Sequence, residues 1–302
     1  MDAEARSTTI AVIIATTGRP DVVSAAVRRL VQTQTFAPSH ILISCVSASD
    51  AGDLHDLAGV KIILGPKGLP AQRNTALGHL AADTDIVAFF DDDFIADPNW
   101  LAAAVQAFAS DPRVTGFTGR VLADGIKGPG LSFDDAVAIV AQDASALSWK
   151  IREPFSPYGC NMAFRCAGIG ASRFDERLVL YGWLEDRDFA AGLAKRGGRF
   201  IKCAAAKGVH MGTKRGRIAG DQLGYSQVIN PLYLLSKGTM TPLQVADHIL
   251  RNVISNIVLS LRPEAFVDRR GRLRGNLIAL QDVLRGRLEP ERAATLKRQS
   301  AV

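Results

Sequence analysis

The stretch from Asp85 to Phe94 constrains this chain more than any other. Five apolar residues, Ile86 to Phe90, run directly into three consecutive carboxylates, Asp91, Asp92 and Asp93. An uninterrupted apolar run of this length reads as a strand buried on both faces, with its carboxyl end opening onto a charged rim. Three adjacent carboxylates repel one another, so a fold that gathers them at a strand end supplies a cation, hydrogen-bond donors or open water. A hard divalent ion meets that need, because Mg2+ takes one or two protein carboxylates and completes its shell with water and substrate phosphates. The triplet alone leaves a second reading open: an acidic turn ahead of a helix that starts near Asp97-Pro98 and carries Trp100, Leu101, Ala104, Val105 and Phe108 at helical spacing.

The segments before the triplet alternate strand and helix. Thr8 to Ala15 reads as a first buried strand, followed by Thr16-Thr17-Gly18-Arg19-Pro20 and a helix carrying Val22, Val23, Ala26, Val27, Leu30 and Val31. His40 to Val46 and Lys61 to Leu64 follow as strands, with a helix through Gln72, Arg73, Asn74 and Leu77 after the latter. This alternation predicts an α/β fold with a mostly parallel, twisted sheet flanked by helices. Ligands of such sheets bind beyond the carboxyl ends of the strands. The residues there suit a nucleotide: Thr16, Thr17 and Arg19; Ser47 and Asp50; Lys67 and Arg73; then the Asp triplet. Hydroxyls and carboxylates pair with base and ribose, and Lys and Arg answer phosphate charge. No phosphate-loop or dinucleotide glycine fingerprint follows the first strand, which removes the main support for those two classes.

Further along, Val114 to Val121 and Tyr158 to Arg165 read as strands, the latter with Gly159 where a backbone approaches something closely. Leu131 to Lys150 is expected to be a helical or loosely structured insertion. The acidic cluster Glu185, Asp186 and Asp188 opens a helix, a position that the helix dipole favours whatever the function. Arg199 to Ala204 is a last strand leading to His210. Cys45, Cys160, Cys166 and Cys203 show neither Cys-x-x-Cys pairing nor zinc spacing, so they read as reduced thiols of a cytoplasmic chain. The charged start, Met1 to Ser7, does not suit a signal peptide, and no apolar run approaches the ~20 residues needed to span a bilayer.

These pieces together resemble the family 2 glycosyltransferases. The resemblance covers roughly residues 8–212 and rests on Thr16 to Pro20, Ala71 to Ala76, Phe89 to Asp93, Gly159 to Arg165 and Leu184 to Asp188, in order and spacing. It implies a GT-A fold with a nucleotide-binding half at about 8–123 and an acceptor half at about 124–212, leaving 213–302 as a basic helical C-terminal extension. It also implies an inverting transfer, polysaccharide-type biosynthesis, and Mg2+ or Mn2+ as cofactor. The donor would be a nucleotide-diphosphate sugar such as a UDP-sugar, and the acceptor a glycan or lipid-linked molecule. The family's Asp-x-Asp motif falls on Asp91 to Asp93, with Asp93 the metal ligand and Asp91 or Asp92 a ribose contact; His210 lies where some members place a late metal ligand. The catalytic pair falls on Glu185 and Asp186, with Asp186 as base. The Gln-x-x-Arg-Trp motif and membrane helices of processive members are missing, which implies transfer of one sugar at a time. A sugar nucleotidyltransferase and a non-catalytic nucleotide-sugar-binding protein are the alternatives.

Charge divides the chain. Residues 1–194 hold 16 Lys and Arg against 23 Asp and Glu, whereas residues 195–302 hold 20 against 7. Within the basic third, Val245, Ile249, Val253, Ile257 and Leu261 repeat every four residues, widened by Leu250, Ile254 and Val258, and the cluster Arg269 to Arg274 follows. The stripe is expected to pack back on the rest of the chain. The alternative is peripheral contact with the anionic inner face of the plasma membrane. Nucleic acid is not expected, since no aromatic-rich strand or recognition motif accompanies the charge.

Overall fold

The computed structural model describes residues 8–143, 151–152, 156–262 and 264–296. The charged start at 1–7 and residues 144–150 of the predicted 131–150 insertion lie outside the described residues; residues Phe133–Gln142 of it form a helix. In chain order the elements are β1 (Ile10–Thr16), α1 (Pro20–Thr33), β2 (His40–Cys45), β3 (Val60–Leu64), α2 (Leu69–Leu77), β4 (Ile86–Asp91), β5 (Phe94–Ala96) and α3 (Trp100–Ser110). They continue with β6 (Val114–Asp124), α4 (Phe133–Gln142), β7 (Ile151–Arg152), β8 (Asn161–Arg165), α5 (Cys166–Ile169), α6 (Glu185–Ala194) and β9 (Arg199–His210). Three long helices follow: α7 (Gly220–Ser236), α8 (Pro242–Ser260) and α9 (Arg269–Leu284).

One sheet runs in the order β3-β2-β1-β4-β8-β6-β9-β5, with β7 beside β9. Its first four strands are parallel, β8 enters antiparallel to both neighbours, and β6 and β9 are again parallel. The apolar runs decide this arrangement. Ile10, Val12, Ile14, Ala88 and Phe90 meet Val23, Val27 and Leu30 of α1 and Trp100 and Leu101 of α3 on one face. Alternate residues Ile13, Val87 and Phe89 meet Ala76 and Leu77 of α2 and Phe189 and Leu193 of α6 on the other. Period-two strands covered on both faces need continuous apolar sequence, which β1 and β4 supply. Because β1 to β4 are parallel, Thr16, the loop after Cys45, Gly65 and Asp91 share one edge.

Three strands depart from the sequence expectation. The 114–121 strand extends to Asp124, and the 199–204 strand continues unbroken to His210 because β6 absorbs register shifts along it as bulges. The short β5 then pairs with the end of β9, Phe94 opposite His210.

The basic third forms its own helical layer. α7 is buried along most of its length, and α9 crosses it closely: a Cβ on Gly275 would stand 2.0 Å from the Asp221 carbonyl oxygen. Asn256 of α8 donates to Gln227 of α7 and Asn276 of α9, each at 2.9 Å, so one buried amide network ties the three helices. The expected apolar stripe of α8 divides. Val245, Ile249 and Val253 pack inward, while Leu250, Ile254, Ile257, Val258 and Leu261 remain exposed. Among the described residues no helix is long and apolar enough to cross a membrane.

Candidate active site

The register of β5 on β9 carries His210 to the Asp triplet. The His210 Nε2 lies 3.3 Å from Asp93 Oδ1 and 3.8 Å from Asp91 Oδ2. One ligand atom from each of these three side chains falls within 4.8 Å of the others. Two carboxylates and an imidazole on such a spacing suit a divalent cation of the Mg2+ or Mn2+ kind. The other imidazole nitrogen, Nδ1, is 3.1 Å from Asp124 Oδ1, and Asp124 also accepts the Tyr158 hydroxyl at 2.8 Å. A carboxylate behind the histidine fixes ring orientation and tautomer, as at metal centres generally. Asp93 accepts the Thr213 amide at 2.8 Å. Burial alone would raise Asp93, but hydrogen bonding and charge from His210 and then Arg19 hold it well below the usual carboxylate range. Burial likewise opposes the charged form of His210, yet Asp124 and Asp93 lift it to about 10.

Asp92 points the other way. Its side chain is fully buried, accepts the Thr16 hydroxyl at 2.7 Å and pairs with Arg19 at 2.8 Å. Burial pushes it up to about 7 against the pull of the Arg19 guanidinium. The triplet therefore separates into two cleft-facing carboxylates and one internal anchor holding the β1 loop.

The helix α6 begins at Glu185 after a segment in which Leu180, Gly182 and Leu184 all have positive φ, at 62°, 62° and 73°. Left-handed leucines cost of order 1–3 kcal/mol each and persist only where the surroundings enforce them. Here the Leu180 carbonyl accepts the Leu69 amide at 2.9 Å and the Glu185 amide donates to Gly182 O at 2.7 Å. The two carboxylates that follow have different environments. Glu185 is buried against Arg73 and is pushed up to about 8 by burial, against the pull of that guanidinium. Asp186 is half-buried at the cleft and accepts the Gly159 amide at 2.9 Å and the Arg187 amide at 2.8 Å. Burial raises the Asp186 pKa and outweighs those two amides, leaving a better proton acceptor than an ordinary aspartate. Gly159 lies close here: a Cβ would sit 3.2 Å from Asp186 Oδ2, so a larger residue would press on that carboxylate.

Arg73 joins the two sides. It is 1% exposed, bonds Glu185, donates to Gly159 O at 2.8 Å and to Asp91 at 3.2 Å, and lies over the Phe89 and Phe174 rings. Its charge is paired inside the protein with Glu185 and Asp91. Of the other strand-end residues, Asp50 is buried and ties the first two loops by accepting the Gly18 amide at 2.8 Å and the Ser47 amide at 3.0 Å. Thr17 is half-buried, and Ser47 and Lys67 are exposed. Tyr181 was not anticipated. The residue is 43% exposed, and partial burial followed by the charge of Asp91 raises its pKa well above the ordinary value. Asp124 was missed as well, though its place at the end of a strand was the available signal.

Comparison with known structures agrees with this architecture. A mannosyltransferase from Pyrobaculum calidifontis, solved with GDP-Man and Mn2+, superposes with a TM-score of 0.55 at 16% identity, covering 96% of this chain and 79% of its own. Residues 1–349 of S. aureus TarS, solved with UDP-GlcNAc, give 0.57 at 16% identity, covering 96% and 84%. Glucosyl-3-phosphoglycerate synthase from Mycobacterium tuberculosis, with Mn2+, UDP and glucosyl-3-phosphoglycerate, gives 0.51 at 14% identity, covering 78% and 82%. At these identities the likeness is one of fold. No curated protein sequence matches the chain. The family model for glycosyl transferase family 2 matches residues 11–165, just over half of the chain, and the chain therefore belongs to that family of glycosyltransferases.

Proposed function

We propose that this chain transfers one sugar at a time, with inversion, from a nucleotide-diphosphate donor, a UDP-sugar, to a hydroxyl of a glycan or lipid-linked acceptor. The observation that carries the reading is the pairing of a cation-ready corner, Asp91, Asp93 and His210, with a half-buried carboxylate, Asp186, braced to it through Arg73. Asp91, Asp93 and His210 would hold Mg2+ or Mn2+, which when bound supplies charge to the departing diphosphate. Asp124 and Tyr158 keep the His210 ring oriented toward Asp91 and Asp93. Asp186 takes the proton of the acceptor hydroxyl at the carboxylate oxygens that face the cleft, its basicity raised by burial. Glu185 and Arg73 fix the start of α6, so Asp186 stays at one distance from the donor corner. Thr17, Ser47, Asp50 and Lys67 line the approach for base, ribose and phosphate at the strand ends. Residues 1–212 are the catalytic part in this reading and 213–302 the extension. The excess of cations in that extension favours work at an anionic membrane surface on the cytoplasmic side.

The test is release of nucleoside diphosphate from a panel of nucleotide sugars with acceptor extracts, in Mn2+, Mg2+ or EDTA. Metal-dependent release is expected, with Asp186→Asn lowering kcat by ~10²–10⁴-fold and Asp93→Ala abolishing metal dependence. Release of pyrophosphate from a nucleoside triphosphate would move the chain to the nucleotidyltransferases. Donor binding with no turnover across the acceptors would favour a binding protein.

A further inference from the structure

The outer face of α8 is the largest feature that the catalytic reading leaves unused. Leu243, Leu250, Ile254, Ile257 and Leu261 are 84%, 57%, 56%, 47% and 80% exposed. Their spacing puts all five within one narrow stripe of the helix. Beyond the helix end, Phe266 is 49% exposed. Soluble surfaces rarely carry so long an apolar strip without something to cover it. The opposite face of α8 is occupied: Val245 and Asn256 are buried, and Ile249 and Val253 pack on the α7–α9 layer. The stripe therefore cannot turn inward without breaking that packing.

Charge identifies the occupant. Residues 241–287 contain eight Arg, no Lys, and four acidic residues. Each of the four is already engaged. Asp247 pairs with Arg251, Glu264 with Arg269, and Asp282 with Arg292, while Asp268 accepts the Gly271 amide at the start of α9. Arg262 and Arg270 are exposed, and Arg270 reaches back to the Ser260 carbonyl at 3.4 Å, so both guanidiniums stand at the end of the apolar stripe. The acidic side chains of this segment being engaged, a second copy seated on this face through the same segment has none free to meet these arginines, which disfavours the pairing. Anionic phosphates above an apolar layer match both features at once, and arginine is the better of the two cations for phosphate.

We propose that α8 lies in the plane of an anionic lipid bilayer, with Leu250, Ile254, Ile257, Leu261 and Phe266 among the acyl chains and Arg262 and Arg270 at the phosphate level. The inner face of the same helix places His248 Nε2 2.7 Å from Arg187 Nη1, and Arg187 follows Asp186. One helix diameter, about 10 Å, and the length of the Arg187 side chain thus separate the bilayer from the start of the catalytic helix. A lipid-linked acceptor needs only a short reach, a consequence that rests on the transfer reading, whereas the docking itself does not.

The experiment uses the full chain with vesicles of phosphatidylglycerol and phosphatidylcholine, or phosphatidylcholine alone, at 50 and 500 mM salt. Binding to the anionic vesicles is expected. Ile254→Ser with Leu261→Ser should lower the partition coefficient by ~10-fold or more, and Arg262→Glu with Arg270→Glu by ~30-fold or more. Turnover of a soluble acceptor should be unchanged in both. In Phe266→Trp, brominated anionic lipids should quench the introduced indole beyond the wild-type background. Binding that is insensitive to the Ile254/Leu261 pair and leaves that indole unquenched would overturn insertion while leaving a purely electrostatic contact. Binding to no vesicle at all would overturn both, with sugar transfer still judged by its own assay. A dimer that the Ile254/Leu261 pair converts to monomer, without any effect of vesicles, would assign the face to a second copy.

Discussion

Arg73 shows how a single buried side chain can connect two carboxylate sites. It is enclosed by Glu185, Asp91, the Gly159 carbonyl and two aromatic rings, so its removal leaves a buried Glu185 with no counter-charge. Arg73→Ala is therefore expected to cost about 3–5 kcal/mol, the usual penalty for breaking a buried pair from one side. Glu185→Gln, which keeps an acceptor for the guanidinium, should cost clearly less. Urea unfolding of the two variants measures the difference, and equal costs would show that the pair is not the source of the stability. The sequence marked Arg73 as a phosphate contact because a cation after a strand end is what a nucleotide needs. What turned it inward is Glu185, 112 residues later. The same distance in sequence hides the internal role of Asp92, anchored to Thr16 and Arg19, and the partnership of Asp124 with His210. Gly159 was legible, because a glycine ending a loop before an apolar strand signals close approach; only its partner, Asp186, had to come from the fold.

At the scale of elements, β1 and β4 were readable because strands covered on both faces must be continuously apolar. α7 was not, since it is buried along most of its length, contains Pro231, and carries Gln227 and Asn230 inside, the first held by Asn252 and Asn256 and the second donating to the Trp183 carbonyl. α8 was readable as a helix, but which half of its broad stripe would be covered depended on α7 and α9. The α6–α8 contact yields a pH prediction. His248 accepts from Arg187, and burial, then the charges of Arg187 and Arg251, lower its pKa. The unfolded chain protonates this histidine near its ordinary value of ~6.5, whereas the folded chain resists protonation to lower pH. Below that point the unfolded state holds more protons, so stability falls as pH drops through the window between the ordinary and the lowered pKa, and is unaffected above it. His248→Gln keeps an acceptor and cannot titrate. Urea midpoints at pH 5 and pH 7.5 should therefore differ less in this variant than in the wild type; an equal difference would place the acid sensitivity elsewhere.

The whole molecule couples an acidic, sheet-bearing part to a basic helical layer, and the candidate cation corner lies where strands from distant parts of the chain converge. Asp91 comes from the end of β4, Asp93 from the turn joining β4 to β5, His210 from the end of β9, and Asp124 behind it from the end of β6. An ion held by Asp91, Asp93 and His210 would cross-link segments that separate on unfolding, so it binds the native state alone and raises global stability. At about one hundred times its dissociation constant such an ion adds about 2.7 kcal/mol. For a chain of this size that corresponds to a rise in Tm of about 5 °C. Mn2+ should produce the shift, EDTA should reverse it, and Asp93→Asn should remove it whatever that substitution does to the metal-free Tm. Because this readout requires no substrate, it is independent of whether the right donor or acceptor has been found. A shift of equal size in Asp93→Asn would locate the ion away from the triplet, and no shift at millimolar Mn2+ would leave the corner to be completed by the diphosphate of the donor, which the same scan with UDP and Mn2+ together would reveal.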